Sequence, residues 1–290
     1  MLSLGAVWMV GFLLAVMRIS VPYVMAALGG TVCERAGVIN IALEAFLLLS
    51  ALGTALGAPY GATVALTCGL AAGLLAAALY ALLVVYFRGD QIVCGVALFL
   101  LADGLSRFLL KVVFDSTSNS PRLPKLEGHG PLLLTALALL SIGLLQLLLY
   151  RTVFGLRLRS AGEKPQAGYA LGVPVVPVRF CAVLLSGLLT AVGGIYLVFD
   201  QRQFVALMSG GRGYLALAAM IFGGWRPLPV AMAAILFAAA EAIGIRLQAS
   251  GLHLPNFLPQ LLPYALTLTA LVLRGRLGKR QSHAPAALGQ

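Results

Sequence analysis

Residues 61–87 read GATVALTCGLAAGLLAAALYALLVVYF, a stretch without a single charged side chain. An α-helix rises about 1.5 Å per residue and the hydrocarbon core of a bilayer is about 30 Å thick, so roughly 20 apolar residues cross it. The stretch is long enough to span, and nothing in it suits water. Residues 131–150, PLLLTALALLSIGLLQLLLY, form a second charge-free run. The whole chain keeps to this pattern: of 290 residues 61% are hydrophobic and 10% charged, too little polar surface to coat a soluble body of this size. Leu, Ala and Gly dominate the runs, which suits helices, and the ten-residue alternation of a membrane barrel is absent. The expected fold is an all-α integral membrane protein.

Working outward, hydrophobic segments fall at about 3–17, 20–32, 40–56, 61–87, 91–111, 131–150, 177–199, 211–224, 229–248 and 256–274. Ten transmembrane or partly spanning segments place both termini on one side. Residues 151–179 carry Arg151, Arg157, Arg159, Lys164 and Arg179 against Glu163 alone, and the tail carries Arg274, Arg276, Lys279 and Arg280, so both are expected in the cytoplasm. The loop 112–130 balances Asp115 and Glu127 against Arg122 and Lys125 and is expected outside. The expected organisation is one transmembrane domain over 1–274, with a cytoplasmic loop at 151–176 and a basic cytoplasmic tail at 275–290. The net charge of +11 is dispersed beside hydrophobic runs, where cations set topology, and does not form a nucleic-acid footprint. Cys33, Cys68, Cys94 and Cys181 lie far apart in apolar stretches and read as buried small hydrophobes.

Segments 20–32 and 211–224 are too short for straight spans, and Gly29-Gly30, Gly210-Gly211 and Gly223-Gly224 offer places to break. Such breaks mark either a packed or water-lined interior or merely tight loops between tilted helices. The stretch from Arg35 to Ala45 and the stretch from Arg212 to Ala219 each open a short segment followed by a Pro-containing turn and an Ala/Leu-rich span. Run in opposite directions, these form an inverted-repeat pattern, which in transporters sets the substrate path at the repeat interface. In so Ala/Leu-rich a chain, chance similarity is the competing reading.

Charged groups inside apolar segments face a bundle interior or an aqueous path. Glu34, Asn40, Glu44, Gln91 and Asp103 are therefore candidate pathway residues, while Asp103 with Arg107 and Glu241 with Arg246 can equally be structural pairs. Tyr23, Phe99 and Phe108 can stack on a flat ligand if they face the cavity. Enzymatic readings find no support. His129, His253 and His283 are isolated, metal-ligand and nucleophile motifs are absent, and no phosphate-binding lysine loop is present. No metal or cofactor is expected, and any ATP hydrolysis belongs to a partner.

The stretch SAGEKPQAGYALGVP (residues 160–174) is the most informative outside the spans. Pro165 can open a helix, Gly172 can end it and Pro174 prevents its continuation. From spacing alone, this is either a knob for another protein's groove or an ordinary capped loop.

Four stretches, ERAGVINIALE (34–44), QIVCGVAL (91–98), GEKPQAGYALG (162–172) and GRGYLALAAMIFGGWRP (211–227), occur together and in order. Through them the chain resembles, over nearly its whole length, the permeases of branched-chain amino acid and simple-sugar ABC importers, most closely the shorter permease of nucleoside-type systems. The resemblance implies a bacterial inner-membrane permease working by alternating access, with a nucleoside as solute and a simple sugar or flavin-like heterocycle as alternatives. It implies a cytosolic ATPase that uses ATP and magnesium, a second, paralogous permease and an extracytoplasmic binding lipoprotein. It also implies that Gly162, Glu163, Lys164, Pro165, Gln166, Tyr169, Ala170, Leu171 and Gly172 form the coupling helix that docks on the ATPase. An ion-coupled secondary transporter is the rival of a different class. One departure is that Ala42 and Ala45 stand where the family usually has glycines flanking its glutamate, which implies an altered pocket around Glu44.

Overall fold

The computed structural model describes residues 4–116, 118–123, 130–249 and 284–289, with Ala265, Leu268, Thr269 and Val272 as single helical positions. Of the expected segment 256–274 only those four positions are described, and the three histidines and most of the basic tail lie outside the described residues. In chain order the helices are α1 (Leu4–Arg35), α2 (Leu43–Gly57), α3 (Ala62–Ala81), α4 (Gln91–Phe114), α5 (Gly130–Arg151), α6 (Val153–Glu163), α7 (Pro165–Ala170), α8 (Val175–Gln201), α9 (Arg212–Gly223) and α10 (Pro227–Ala249). A 3-10 turn (Ala58–Tyr60) extends α2, and a π turn (Leu82–Tyr86) extends α3. Among the described residues there is no strand, only an isolated bridge between Asn119 and Val205. Seven described helices, α1 to α5, α8 and α10, are long and apolar enough to cross a membrane, and α9 is a shorter apolar helix.

The expected segments 3–17 and 20–32 are one helix. Pro22 removes the N–H that would serve the carbonyl of Arg18, yet the helix continues, with Ser20 Oγ donating to the Met17 carbonyl at 2.8 Å. Gly29-Gly30 is not a break either. A Cβ on Gly29 would stand 2.7 Å from the Ser186 carbonyl oxygen of α8, so this glycine permits close helix approach. The other two glycine pairs do end helices: Gly210 and Gly211 precede α9 and Gly224 follows it, all three with positive φ.

Helix register follows from paired contacts. Gly29 of α1 meets Ser186 of α8, Pro22 meets Gly193, and Arg18 pairs with Asp200, so α1 and α8 run antiparallel. α2 and α3 form a hairpin in which Gly53 packs on Cys68 and Gly57 on Val64, while Gly73 of α3 meets Ala191 of α8. α10 returns along α1, with Glu241 at Tyr23 and Arg246 over the ring of Phe12. Two faces result. One carries Arg35, Arg88, Trp225, Arg179 and the α6–α7 corner; the other carries Arg18, Asp200 and the 118–123 loop, bonded to 202–206 through Ser120 N to Phe204 O and Ala206 N to Ser118 O. We call the first the basic face. Residues 284–289 lie on it, with Ala287 N donating to Gly162 O at 2.9 Å. Because α1 is a single helix, Leu4 lies at the far end of α1 from residues 284–289.

Three further expectations change. The 151–176 loop contains an unforeseen helix, α6, started by Thr152, whose Oγ1 accepts from Gly155 N at 3.0 Å. Glu241 pairs with Arg212 rather than with Arg246. Of the four cysteines only Cys33 is buried, and Cys181 faces outward from α8.

Candidate functional site

The chain between α1 and α2, residues 36–42, is irregular and runs inward from the basic face, whereas residues 202–211 run inward from the opposite face. α2 and α9 begin where these segments end, and the two helix starts abut: a Cβ on Gly213 would lie 2.5 Å from the Glu44 nitrogen. From there α9 runs along α1 toward Arg35 and α2 runs away from it, since Gly30 of α1 packs on Met220 and Leu43, while Gly193 of α8 meets both Pro22 and Leu47. Glu44, in the first turn of α2 and buried, turns its carboxylate onto the start of α9. Its Oε1 accepts from Gly211 N at 2.8 Å and its Oε2 from Gly213 N at 2.6 Å. One anion thus sits at two helix N-termini, where exposed N–H groups and both helix dipoles favour negative charge.

The other polar groups at this depth are engaged too. Arg212, the first residue of α9, pairs with Glu241, which also accepts from the Tyr23 hydroxyl at 2.7 Å. Tyr23 is therefore a buried bridging residue and not an open stacking surface. Asn40 is fully buried and its Nδ2 donates to Ser186 Oγ at 2.8 Å; its Oδ1 and Ser209 Oγ find no partner among the described residues. Gln91 Oε1 accepts from Ile39 N at 2.6 Å, and the Tyr80 hydroxyl donates to Ile39 O and Gln91 O at 2.7 and 2.9 Å. These contacts fix the 36–42 link to α3, α4 and α8. Glu34 is buried on the basic face, where its Oε2 accepts from Trp225 Nε1 at 2.7 Å.

The six predicted pathway residues do not share one cavity. Asn40, Glu44 and Gln91 gather along the link and the junction. Glu34 lies at the end of α1. Asp103 stands on α4 with Arg107 at 3.0 Å, the pairing expected from their spacing. Phe99, also on α4, makes an edge contact with Tyr214 of α9 at 6.0 Å, and Phe108 points outward. Among these residues Gln91 alone lines a cavity of about 540 Å³ at the basic face, between Ile39, Asp90, Gln166, Tyr169 and Arg179. Ala42 and Ala45 are fully buried, so their methyls fill packed core rather than line an opening. No group of three His, Cys, Asp or Glu side chains suited to a metal occurs among the described residues.

At the basic face Pro165 opens α7 at its first position, and Gly172, with φ +75°, closes it by donating to Tyr169 O at 3.0 Å. Tyr169, Ala170 and Leu171 protrude, Leu171 with 84% of its surface exposed. Residues missed in the sequence join this corner to the link. The Arg179 guanidinium donates to Ala36 O at 3.1 Å and Ala161 O at 3.2 Å, and Arg35 approaches Glu163 at 3.8 Å while donating to Trp225 O. Arg179 reads in sequence as a topology cation, and no local motif signals its bridging role.

Seven helices long and apolar enough to span, packed around the opposed starts of α2 and α9, define the class: a multi-spanning helical membrane protein. The chain belongs to the family described as branched-chain amino acid transport system / permease component, which it matches over residues 12–271. It is 32% identical to the guanosine ABC transporter permease protein NupQ of Bacillus subtilis, covering 92% of each chain. It is also 32% identical to the nucleoside ABC transporter permease protein NupC of Lactococcus lactis, over 88% of this chain and 89% of that one. A putative glucose ABC transporter permease of Haloferax volcanii is 33% identical over 85% of this chain and 80% of its own length. No solved structure matches.

Proposed function

We propose that this chain forms the translocation path of an ATP-driven nucleoside importer, moving its solute by alternating access. The observation that carries the reading is membership of the permease family together with two relatives, named for guanosine and nucleoside transport, that align along nearly the whole chain. The sugar reading is supported along most of the chain by the relative named for glucose and along a third of it by relatives named for L-arabinose, so glucose is the competitor to test against guanosine. The basic face is the cytoplasmic one by charge, which puts Leu4 outside and residues 284–289 inside. The opposed starts of α2 and α9, each followed by a turn with a proline and a long helix, support an inverted repeat whose interface is the junction at Glu44.

The chain carries no nucleotide-binding motif, so the driving motion enters from a cytosolic ATPase through α7. Burying Tyr169, Ala170 and Leu171 in a groove supplies a few kcal/mol, at about 25 cal/mol per Å² of apolar surface. Motion of α7 then reaches the link 36–42 through Arg179 and Arg35, and the junction through Asn40 and Gln91. In the purified transporter, Ala170→Glu is expected to lose the ATPase or its stimulation by loaded binding protein, whereas Ala170→Gln keeps both. Full coupling in the Glu variant removes α7 as the docking element.

A further inference from the structure

Three backbone segments meet at the foot of α7. The end of α1 and its link supply Arg35 to Gly37, the α6–α7 corner supplies Gly162, and the third piece is residues 284–289. Gly162 packs so closely that an added Cβ would overlap the Arg35 carbonyl, and a Cβ on Gly37 would lie 3.2 Å from Gly162 Cα. Between these two glycines sits a turn closed by Leu288 N donating to Pro285 O at 3.2 Å. One side of the turn donates Ala287 N to Gly162 O at 2.9 Å, and the other donates Gly289 N to Gly37 O at 3.1 Å. Ala286 N also donates to Glu163 Oε2 at 3.3 Å. Ala287 is buried, and Gly289 takes a positive φ that favours glycine. The turn therefore spans the same gap that Arg179 spans with its guanidinium, by main-chain bonds to the carbonyls next in sequence, 37 beside 36 and 162 beside 161.

We propose that residues 284–289 are a positioning clip that holds the α6–α7 corner to the 36–42 link, so that displacement of α7 is delivered to the junction at Glu44 instead of being absorbed at the corner. This rests on the reading of α7 as the ATPase-docking element. Without the clip, the corner meets the link through the close packing of Gly162 on Arg35 and Gly37, the Arg179 bridge and the long Arg35–Glu163 pair, and the main-chain bonds that fix its register are gone, so the corner can rock while α7 stays docked. The signature is uncoupling: the ATPase remains bound and hydrolyses ATP, but solute no longer governs it.

The test uses the whole transporter, the chain with its ATPase, second permease and binding protein, with radiolabelled guanosine as probe. Deletion of residues 284–290, and separately Ala287→Arg, which cannot fit the buried site, are compared with Ala287→Gly, which keeps the N–H donor. The first two are expected to retain insertion, thermal stability and bound ATPase while the ratio of stimulated to basal hydrolysis and guanosine uptake both fall at least about fivefold, the low end of allosteric coupling. Ala287→Gly is expected to stay within about twofold of the parent. Coupled uptake within about twofold of the parent after deletion overturns the proposal. So does loss of the ATPase or of thermal stability, because the segment then belongs to the docking surface or to the fold. Ala170→Glu, run beside them, separates the two failures: if it is fully coupled the reading of α7 falls, and if it uncouples while the deletion does not, only the clip falls.

Discussion

Replacing Glu44 tests whether one carboxylate holds the starts of α2 and α9 together. Glu44→Ala removes the acceptor for Gly211 N and Gly213 N at a buried site, leaving two amide donors without a partner at membrane depth. A hydrogen bond to a charged group is worth about 1.5–3 kcal/mol, so the pair contributes about 3–6 kcal/mol, less whatever relaxation returns. Glu44→Gln keeps one acceptor oxygen but sets its NH₂ against the second amide, for a loss of about half that sum. On the soluble-domain scale of about 2–4 °C per kcal/mol, the alanine variant should melt about 6 °C or more below the parent. The glutamine variant should fall between. The assay is thermal unfolding of the detergent-purified chain followed by a fluorescent fusion, with initial uptake rates beside it. If Glu44→Ala inserts normally and melts within about 1 °C of the parent, the carboxylate does not cap α9 and the junction argument fails.

Other outcomes follow from the same contacts. Gly213→Ala places a methyl against the Glu44 backbone and should lower stability and uptake together, measured by the same melting and uptake assays. Arg212→Met strands the Glu241 carboxylate without its cation, a loss of about 3–5 kcal/mol that the melting assay would register and that Arg212→Met with Glu241→Met should largely reverse. Asn40→Ala and Gln91→Ala free the 36–42 link and should slow uptake at saturating guanosine more than they change the half-saturating concentration; parental rates at every concentration strike both from the mechanism. On a cysteine-free background, impermeant reagent outside intact cells should label Ser118→Cys and spare Leu171→Cys, and the reverse pattern inverts the orientation.

The helical membrane fold was legible because charge-free runs leave no other solvent than lipid. Most span positions followed from them. The first two segments were misread because Pro22 and Gly29-Gly30 look like breakers in one dimension. In the fold, packing against α8 and α10 holds the helix through the proline, and Gly29 serves close contact with Ser186. Gly210-Gly211 was read correctly because its positive φ is a local property that sequence can carry. The pairing of Glu241 with Arg212 was hidden, since the partners are 29 residues apart and the nearer Arg246 offered a plausible alternative. Glu44, Asn40 and Gln91 were recognised as polar groups at membrane depth, but what they hold depends on 36–42 and 202–211 entering from opposite faces, which no spacing reveals. The Pro165 and Gly172 ends of α7 were readable as helix signals, whereas the bridge from Arg179 is purely tertiary.

The most direct test of the account is guanosine uptake by proteoliposomes holding the chain with its ATPase, second permease and binding protein. Uptake should require ATP and magnesium on the ATPase side and binding protein on the other, should persist when ion gradients are collapsed, and should be displaced by unlabelled guanosine but not by glucose. Uptake that proceeds without ATP and follows an imposed ion gradient would contradict the account, as would ATP-driven uptake of glucose with none of guanosine.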